Sequence, residues 1–440
     1  MAESKSSVLI VGAGVLGAST AYHLITTSPT LDITVLDRTP FPPAPAASTD
    51  INKIVRADYS SPFYADLAYE AIEAWRTWPE LRDLYHQTGW LLLSEQGNET
   101  AERNRKVFRD RGHDPTSDVT LSEIESDPRW SSLLSGADLK GFKDAYWNPE
   151  AGWCEASAAT AAMMQAAVNK GVKYVCGDVS SLLIDPDNKA GGLRGIKTSS
   201  GAIHHADKIV LATGAWTSSL MSPLEDQLSV PPDARTETQV TAAAVCVTHY
   251  KLTPPEMSGL STSKMPVIVY GENGEAIPPP SENQLLKFTN SRSVKNTITT
   301  SSGAIITAPP SAEYADQEVV PKKLQRDCLD RIAGRVMPLF TAHKEPAFFR
   351  LCWDSFTPSQ DWLLCAHPDP RLRNLFFAVG GSFHTYKFLP TVGKYMCKVL
   401  SGEGNGEVMD KAWGWKKSGS AGRGAHEATV PTRELSEFDD

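Results

Sequence analysis

The sequence of 440 residues predicts an α/β chain, α+β overall, in which a parallel-sheet domain is joined to a second, mostly antiparallel sheet domain. Three observations predict it. An apolar run at 8–11 is followed by helical spacing over 18–24 and a second apolar run at 33–37, a β-α-β unit. Apolar strands of the same buried kind recur far downstream at 208–211 and 375–379. Between them, over 239–308, short strands alternate with turns, the pattern of an antiparallel sheet.

The first unit carries the most local information. Its strand stops at Gly12-Ala-Gly14-Val15-Leu16-Gly17, and its second strand ends in Asp37, twenty residues after the last glycine. In a Rossmann-like domain each of these positions has a physical task. Gly12 permits a tight turn, Gly14 lets backbone approach a pyrophosphate, and Gly17 lets helix and strand pack closely. The helix start then offers free N–H groups and a positive dipole end to phosphates. Asp37 suits the two hydroxyls of an adenosine ribose and disfavours a 2′-phosphate, so FAD or NAD is expected over NADP.

Composition narrows the class. The hydrophobic fraction of 41% and charged fraction of 22% are those of an ordinary globular protein. The net charge of −9 argues against nucleic acid or an anionic membrane as partner. No run approaches the length of a membrane span. The seven cysteines lack CxxC pairs, which excludes a zinc ribbon and gives no metal site. A polar start at 1–7 and a C-terminal Glu-Phe-Asp-Asp carry neither a signal peptide nor a Ser-Lys-Leu address, so a cytoplasmic location is expected.

Further along, Lys53 and Arg56 lie three apart, either on a solvated helix face or at the mouth of a cofactor crevice. Residues 63–86 have helical apolar spacing, with Trp75 and Trp78 read as core; 89–93 reads as a strand, 100–111 as a charged helix and 130–147 as loop-like. An alanine-rich helix at 153–170 leads into strands at 172–176 and 179–184. The 208–211 strand ends at Ala212-Thr-Gly214-Ala-Trp216, small residues that let backbone pass close to something bulky. Two-domain flavin folds commonly return to the nucleotide domain with this signature, which favours FAD over NAD. A Pro-rich linker is expected at 223–235, one amphipathic helix at 321–335 and a closing helix at 391–400. The FAD-binding domain is thus expected to comprise 1–84, 151–222 and 346–400, and the substrate domain 85–150 and 223–345. A polar, loosely packed tail follows at 401–440, Gly/Ser-rich at 417–424.

Taken together, the fingerprint Gly12 to Asp37, Asp50-Ile-Asn-Lys53, Ala212 to Trp216, Cys352 ahead of Thr357-Pro358-x-x-Asp361, and Gly380-Gly381-Ser382-Phe383-His384-Thr-Tyr-Lys387 resemble one family. It is the monomeric sarcosine oxidase family, and most closely its fungal branch of fructosyl amino acid oxidases (amadoriases) and saccharopine or pipecolate oxidases. The resemblance covers about residues 6–400 and implies a fold like those of glutathione reductase and D-amino-acid oxidase.

It also implies an FAD-dependent oxidase of secondary amines, expected to be a monomer, with O2 as acceptor and H2O2 and a hydrolysing imine as products. Cys352 matches the cysteine bonded to the flavin 8α-methyl. Lys287, unusual in an otherwise apolar strand, matches the lysine that activates oxygen. Lys387, with His384, matches the group near substrate carboxylate and flavin. Val15, Leu16, Arg38, Ser48, Lys53, Val179, Gly214 and Trp216 complete the implied cofactor contacts. Two positions depart from the pattern. Phe383 and Thr385 flank His384 where sarcosine-oxidase-like members have glycines. Fructosyl amino acid oxidases place a sugar-holding acid four residues after the oxygen-activating lysine, where this chain has Ser291. Sarcosine, saccharopine, pipecolate, N-methyl or fructosyl amino acids are the expected substrate types. An FAD-dependent dehydrogenase or monooxygenase of a fungal secondary-metabolite pathway is the alternative.

Overall fold

The computed structural model describes residues 6–44, 46–184, 191–310, 319–416, 431 and 433–439. Its first layer is a six-stranded sheet. The strand order is 363–366, 375–379, 208–211, β1 (Ser7–Val11), β2 (Asp32–Asp37) and 173–176. All neighbours are parallel except the 363–366 edge strand. A parallel sheet must be covered on both faces, and β1 shows how the sequence does so. Val8 and Ile10 face one core cluster with helix α1 (Val15–Thr27), while Leu9 and Val11 face a second with Leu211 and Val379.

The second layer is a nine-stranded sheet. Its path runs 348–356, 241–251, 285–295, 274–277, 267–270, 90–95, 142–148 and 117–119, and 433–434 joins the 285–295 strand at the side. Pairings along the path are antiparallel except 267–270 with 90–95. Alternation sorts its side chains. Leu91, Ile268, Ala276, Leu286, Phe288, Ala244 and Leu351 enter a dry core. Their neighbours Leu92, Val269, Glu275, Lys287, Thr289 and Val247 line a cleft on the opposite face. The period of two in a β-strand therefore decides which residues are structural and which are available for chemistry.

Several expectations change. Lys53 lies on strand β3 (Lys53–Val55), not on a helix, and both Lys53 and Arg56 line the cleft. Residues 130–147 are not loop-like: Pro128–Leu134 is a helix whose N-cap, Asp127, accepts from the Arg129 amide, and Phe142–Asn148 is a strand. The Asp-Pro pair was a helix-start signal masked by the surrounding aromatics. The expected linker is occupied up to Gln227 by the helix Thr217–Gln227, which runs through Pro223. Its Glu225 is buried and accepts from the Thr236 amide and hydroxyl. The 321–335 helix is interrupted by a π-turn at Leu329–Ala333.

Parts of the tail pack firmly. Trp413, at the end of the helix Glu407–Trp413, is buried against Phe63, Trp362 and Tyr395. Leu435 and Phe438 enter the core behind the second sheet. The Gly/Ser run at 417–424 lies outside the described residues. Of the two tryptophans read as core, Trp75 is fully buried and Trp78 packs partly buried against the same cluster, beside Tyr22 and His23. Among the described residues no helix is long and apolar enough to cross a membrane, and no cluster of side chains could hold a metal ion.

Candidate active site

One cleft of about 1000 Å³ runs from the end of β1 across the cleft-facing side of the second sheet. At its first end β1 stops at Gly12, whose φ of +103° is open to glycine at little cost. A Cβ there would lie 2.4 Å from the Ala212 carbonyl oxygen, and one on Gly14 would lie 2.9 Å from Ser48 Oγ. Gly17 lies outside the lining and acts by packing, since a Cβ would come within 1.8 Å of the Gly12 oxygen. The start of α1 has no side-chain cap and no acidic residue in its first turn. Its free N–H groups and dipole therefore face the cleft mouth, an arrangement suited to a phosphate.

Asp37 closes this end. Its Oδ2 accepts from the Ala13 amide at 2.7 Å, so one carboxylate oxygen is committed to the glycine turn. Burial pushes its carboxyl upward, and the Ala13 and Thr39 amides pull it back. The Arg38 guanidinium stacks on Trp216 at 4.2 Å. Val15, Leu16, Ser48, Val179, Ala212 and Gly214 line the same stretch. A narrow glycine cradle, an uncapped helix start and an acid at the strand end together fit the ADP half of a dinucleotide.

The middle of the cleft holds a buried charge cluster. Asp50, just before β3, is fully buried. Its Oδ2 accepts from Lys287 Nζ at 2.6 Å and from Lys53 Nζ at 2.6 Å, and Arg350 Nη1 lies 3.8 Å from its Oδ1. Burial opposes ionisation of Asp50, but Lys287, Lys53 and Arg350 outweigh it and hold the carboxyl well below the usual range. Lys287 also donates to the Asn52 carbonyl at 3.0 Å. Burial pushes its ammonium down to about 8, with Lys53 adding to the effect and Asp50 opposing it. Lys53 Nζ reaches Cys352 Sγ at 3.7 Å. Cys352 shares a small apolar cluster with Val245, Val247 and Phe383. Arg350 and Cys352 sit two apart on one strand and share its face.

Asp50 is a residue that sequence reasoning quoted in a motif but gave no task. Removing its charge leaves the cations buried without a counter-ion, a change that costs about 3–5 kcal/mol. Asp50→Asn is therefore expected to unfold at clearly lower denaturant. An unchanged midpoint would show that the cluster does not depend on it.

The far end is the loop 380–387, which follows the 375–379 strand. Ser382 and Phe383 have φ of 47° and 59°, a conformation that costs energy in non-glycine residues. The loop is over-determined by the neighbouring strand. Asp354 Oδ2 accepts from the Phe383 amide at 2.9 Å, and Ser355 Oγ accepts from the Gly380 and Gly381 amides at 2.8 and 3.2 Å. Gly380 itself (φ +88°) lies outside the lining, packed against Thr357. Gly381, Ser382, Phe383, His384 and Lys387 do line it.

Within the loop Lys387 donates to Tyr59 Oη at 2.9 Å and to the His384 carbonyl at 2.7 Å. His384 Nε2 lies 2.9 Å from the Gln360 carbonyl and must donate to it. Nδ1 is then the acceptor for the Tyr59 hydroxyl at 3.0 Å. Both ring nitrogens are thereby engaged, and His384 meets the cleft as a support for Tyr59 and Lys387. The buried cations Lys287, in the middle of the cleft, and Lys387, at this end, can hold and orient an anion or stabilise developing negative charge. Asp50, Tyr59, Asp354 and Arg350 are the residues that sequence reasoning left without a part. The Asp50-Ile-Asn-Lys53 motif and the two-residue spacing of Arg350 from Cys352 were the signals on offer.

Comparison with known proteins agrees with this geometry. Residues 7–399 match the family described as FAD dependent oxidoreductase. The chain is similar to an L-saccharopine oxidase of Schizosaccharomyces pombe, 29% identical over 435 residues and covering 94% of each chain. It is also similar to an amino acid oxidase of Aspergillus flavus, 26% identical, with 92% of this chain and 95% of that one covered. Among solved structures, a modified fructosyl peptide oxidase from Aspergillus nidulans superposes with a TM-score of 0.83 at 26% identity, covering 99% of this chain and 98% of that one.

Proposed function

We propose, from the premise that the chain belongs to the FAD dependent oxidoreductase family, that it oxidises N-substituted amino acids and uses O2 as acceptor. One observation carries the reading: a single cleft joins a glycine cradle for a nucleotide to a buried lysine cluster beside a cysteine. When bound, FAD would take up two electrons from the carbon beside the amine nitrogen and pass them to O2, giving H2O2 and an imine that water hydrolyses.

The chain's own residues then divide the work. Gly12, Gly14, the start of α1 and Asp37 hold the ADP half. Cys352 would anchor the ring covalently, and its burial in an apolar cluster would keep that link from solvent. The 380–387 loop, fixed by Asp354 and Ser355, aims its backbone and Lys387 at the reacting end. Lys387 and Arg56, both lining the cleft, neutralise an α-carboxylate. Lys287, fixed by Asp50, supplies the cation beside which O2 is reduced. No proton acceptor is needed, because an amine that binds neutral can give up its hydrogen directly.

The similarity to a saccharopine oxidase and an amino acid oxidase supports an amino-acid substrate, and a lysine buried in the cleft at position 287 favours an oxidase over a dehydrogenase or monooxygenase. A panel of sarcosine, pipecolate, saccharopine and fructosyl glycine, scored by peroxide release, tests the reading. Peroxide with at least one secondary amine is expected. Turnover that depends on NADH, with no peroxide from any member, would overturn it.

A further inference from the structure

Glu275 lies on the strand Gly274–Ile277, directly opposite Thr289, with Ile277 opposite Lys287. Residues paired across an antiparallel ladder share a face, with Cβ atoms about 5 Å apart. The Glu275 carboxylate and the Thr289 hydroxyl therefore stand side by side on the cleft floor, and both residues line the cleft. Among the described residues neither has a bonded partner. Thr289 Oγ1 is buried without a hydrogen bond. Among the described residues, the Glu275 carboxylate forms neither a hydrogen bond nor an ion pair.

Buried polar groups are nearly always bonded, so the orphaned Thr289 hydroxyl, beside an unpaired, half-buried carboxylate on the cleft floor, calls for a ligand that supplies a donor. Position along the cleft says which part of a ligand. The strand rises about 3.4 Å per residue, which places Thr289 about 7 Å beyond Lys287, toward the exposed Ser291. Burial pushes the Glu275 carboxyl up, and Lys287, Arg56, Lys53 and Lys387 act the other way. Those cations have other partners: Lys287 and Lys53 bond Asp50, Lys387 bonds Tyr59, and Arg56 donates to the Asp58 carbonyl.

We propose that Glu275 and Thr289 form a station for the N-substituent of the substrate, selecting substituents that end in a hydrogen-bond donor, a hydroxyl or an ammonium. The proposal rests on the amine-oxidase reading of the cleft and adds the specificity of its outer half. A carboxylate accepts from either donor, and an alkyl terminus would leave both floor groups unpaired, which is how such a site rejects it.

The test is calorimetric and needs no turnover. Holoenzyme is titrated with three thioether acids of equal length, in which sulfur replaces the oxidisable nitrogen: (2-hydroxyethylthio)acetate, (2-aminoethylthio)acetate and propylthioacetate. At least one donor-bearing acid should bind about 10- to 100-fold more tightly than propylthioacetate, and which one does so separates hydroxyl from ammonium recognition. Glu275→Gln should collapse the ammonium ratio toward one, and Thr289→Val should lower the hydroxyl ratio. Equal binding of all three by the unaltered protein, or a ratio that survives both substitutions, would overturn the proposal. If none of the acids binds although a secondary amine yields peroxide, the proposal is overturned and the amine-oxidase reading stands; if no secondary amine yields peroxide, both fall.

Discussion

Cys352→Ala is expected to release the flavin: acid precipitation of the unaltered protein should give a yellow pellet, and of the variant a colourless pellet. The variant's activity should fall about 100-fold, the size of loss that follows when a reacting group is held about 1 Å out of place. The physical reason lies in where Cys352 sits. It is buried on the 348–356 strand and faces the cleft between Val245, Val247 and Phe383, with Lys53 Nζ 3.7 Å from its sulfur. The same strand carries Arg350 toward Asp50 and Asp354 toward the 380–387 loop. One strand thus orients the Cys352 thiol, the charge cluster and the loop together. Flavin that stays with the acid pellet of the alanine variant would place the covalent link on another residue, and a colourless pellet from the unaltered protein would remove it.

Lys287→Met is expected to slow the O2 half-reaction by about 10²- to 10³-fold, the usual cost of removing one preorganised charge from a dry site. Reduction by substrate should change far less, because Lys287 is committed to Asp50 and the Asn52 carbonyl and not to the α-carboxylate. Stopped-flow measurement of both half-reactions separates the two. Equal losses in each would make Lys287 a substrate-binding residue. A pH dependence follows with a definite sign. With its ammonium pushed down to about 8, Lys287 is a cation below that pH and neutral above it. The O2 half-reaction of the unaltered protein should therefore decline as pH rises through about 8, and that step should be absent from the methionine variant. The variant must be compared with Asp50 still in place, since Asp50 without Lys287 keeps Lys53, Arg350 and the Ile51 amide as partners.

How far the sequence reveals such a site depends on whether the information is local. The Gly12 to Asp37 fingerprint was legible because turn, helix start and acid are all read from one β-α-β unit. Lys287 was legible because a lysine in an apolar strand is costly without a purpose. Its partner was not, because Asp50 lies 237 positions away and only the fold brings the two together. Glu275 was hidden for a similar reason, since its meaning depends on register with Thr289 on another strand. His384 shows the opposite effect. Its motif promised a reacting group, whereas both ring nitrogens are taken up by Tyr59 and Gln360. The helix Pro128–Leu134 was obscured by its aromatics, although Asp127 and Pro128 mark its start.

The central claim is that the cleft couples the oxidation of a secondary amine to O2. Anaerobic mixing of holoenzyme with the best amine of the panel tests it most directly. The yellow flavin absorbance should bleach in a single turnover, then return on admission of O2 with one equivalent of H2O2. Absorbance that no secondary amine bleaches but NADH does, or bleached enzyme that O2 fails to restore, would contradict it.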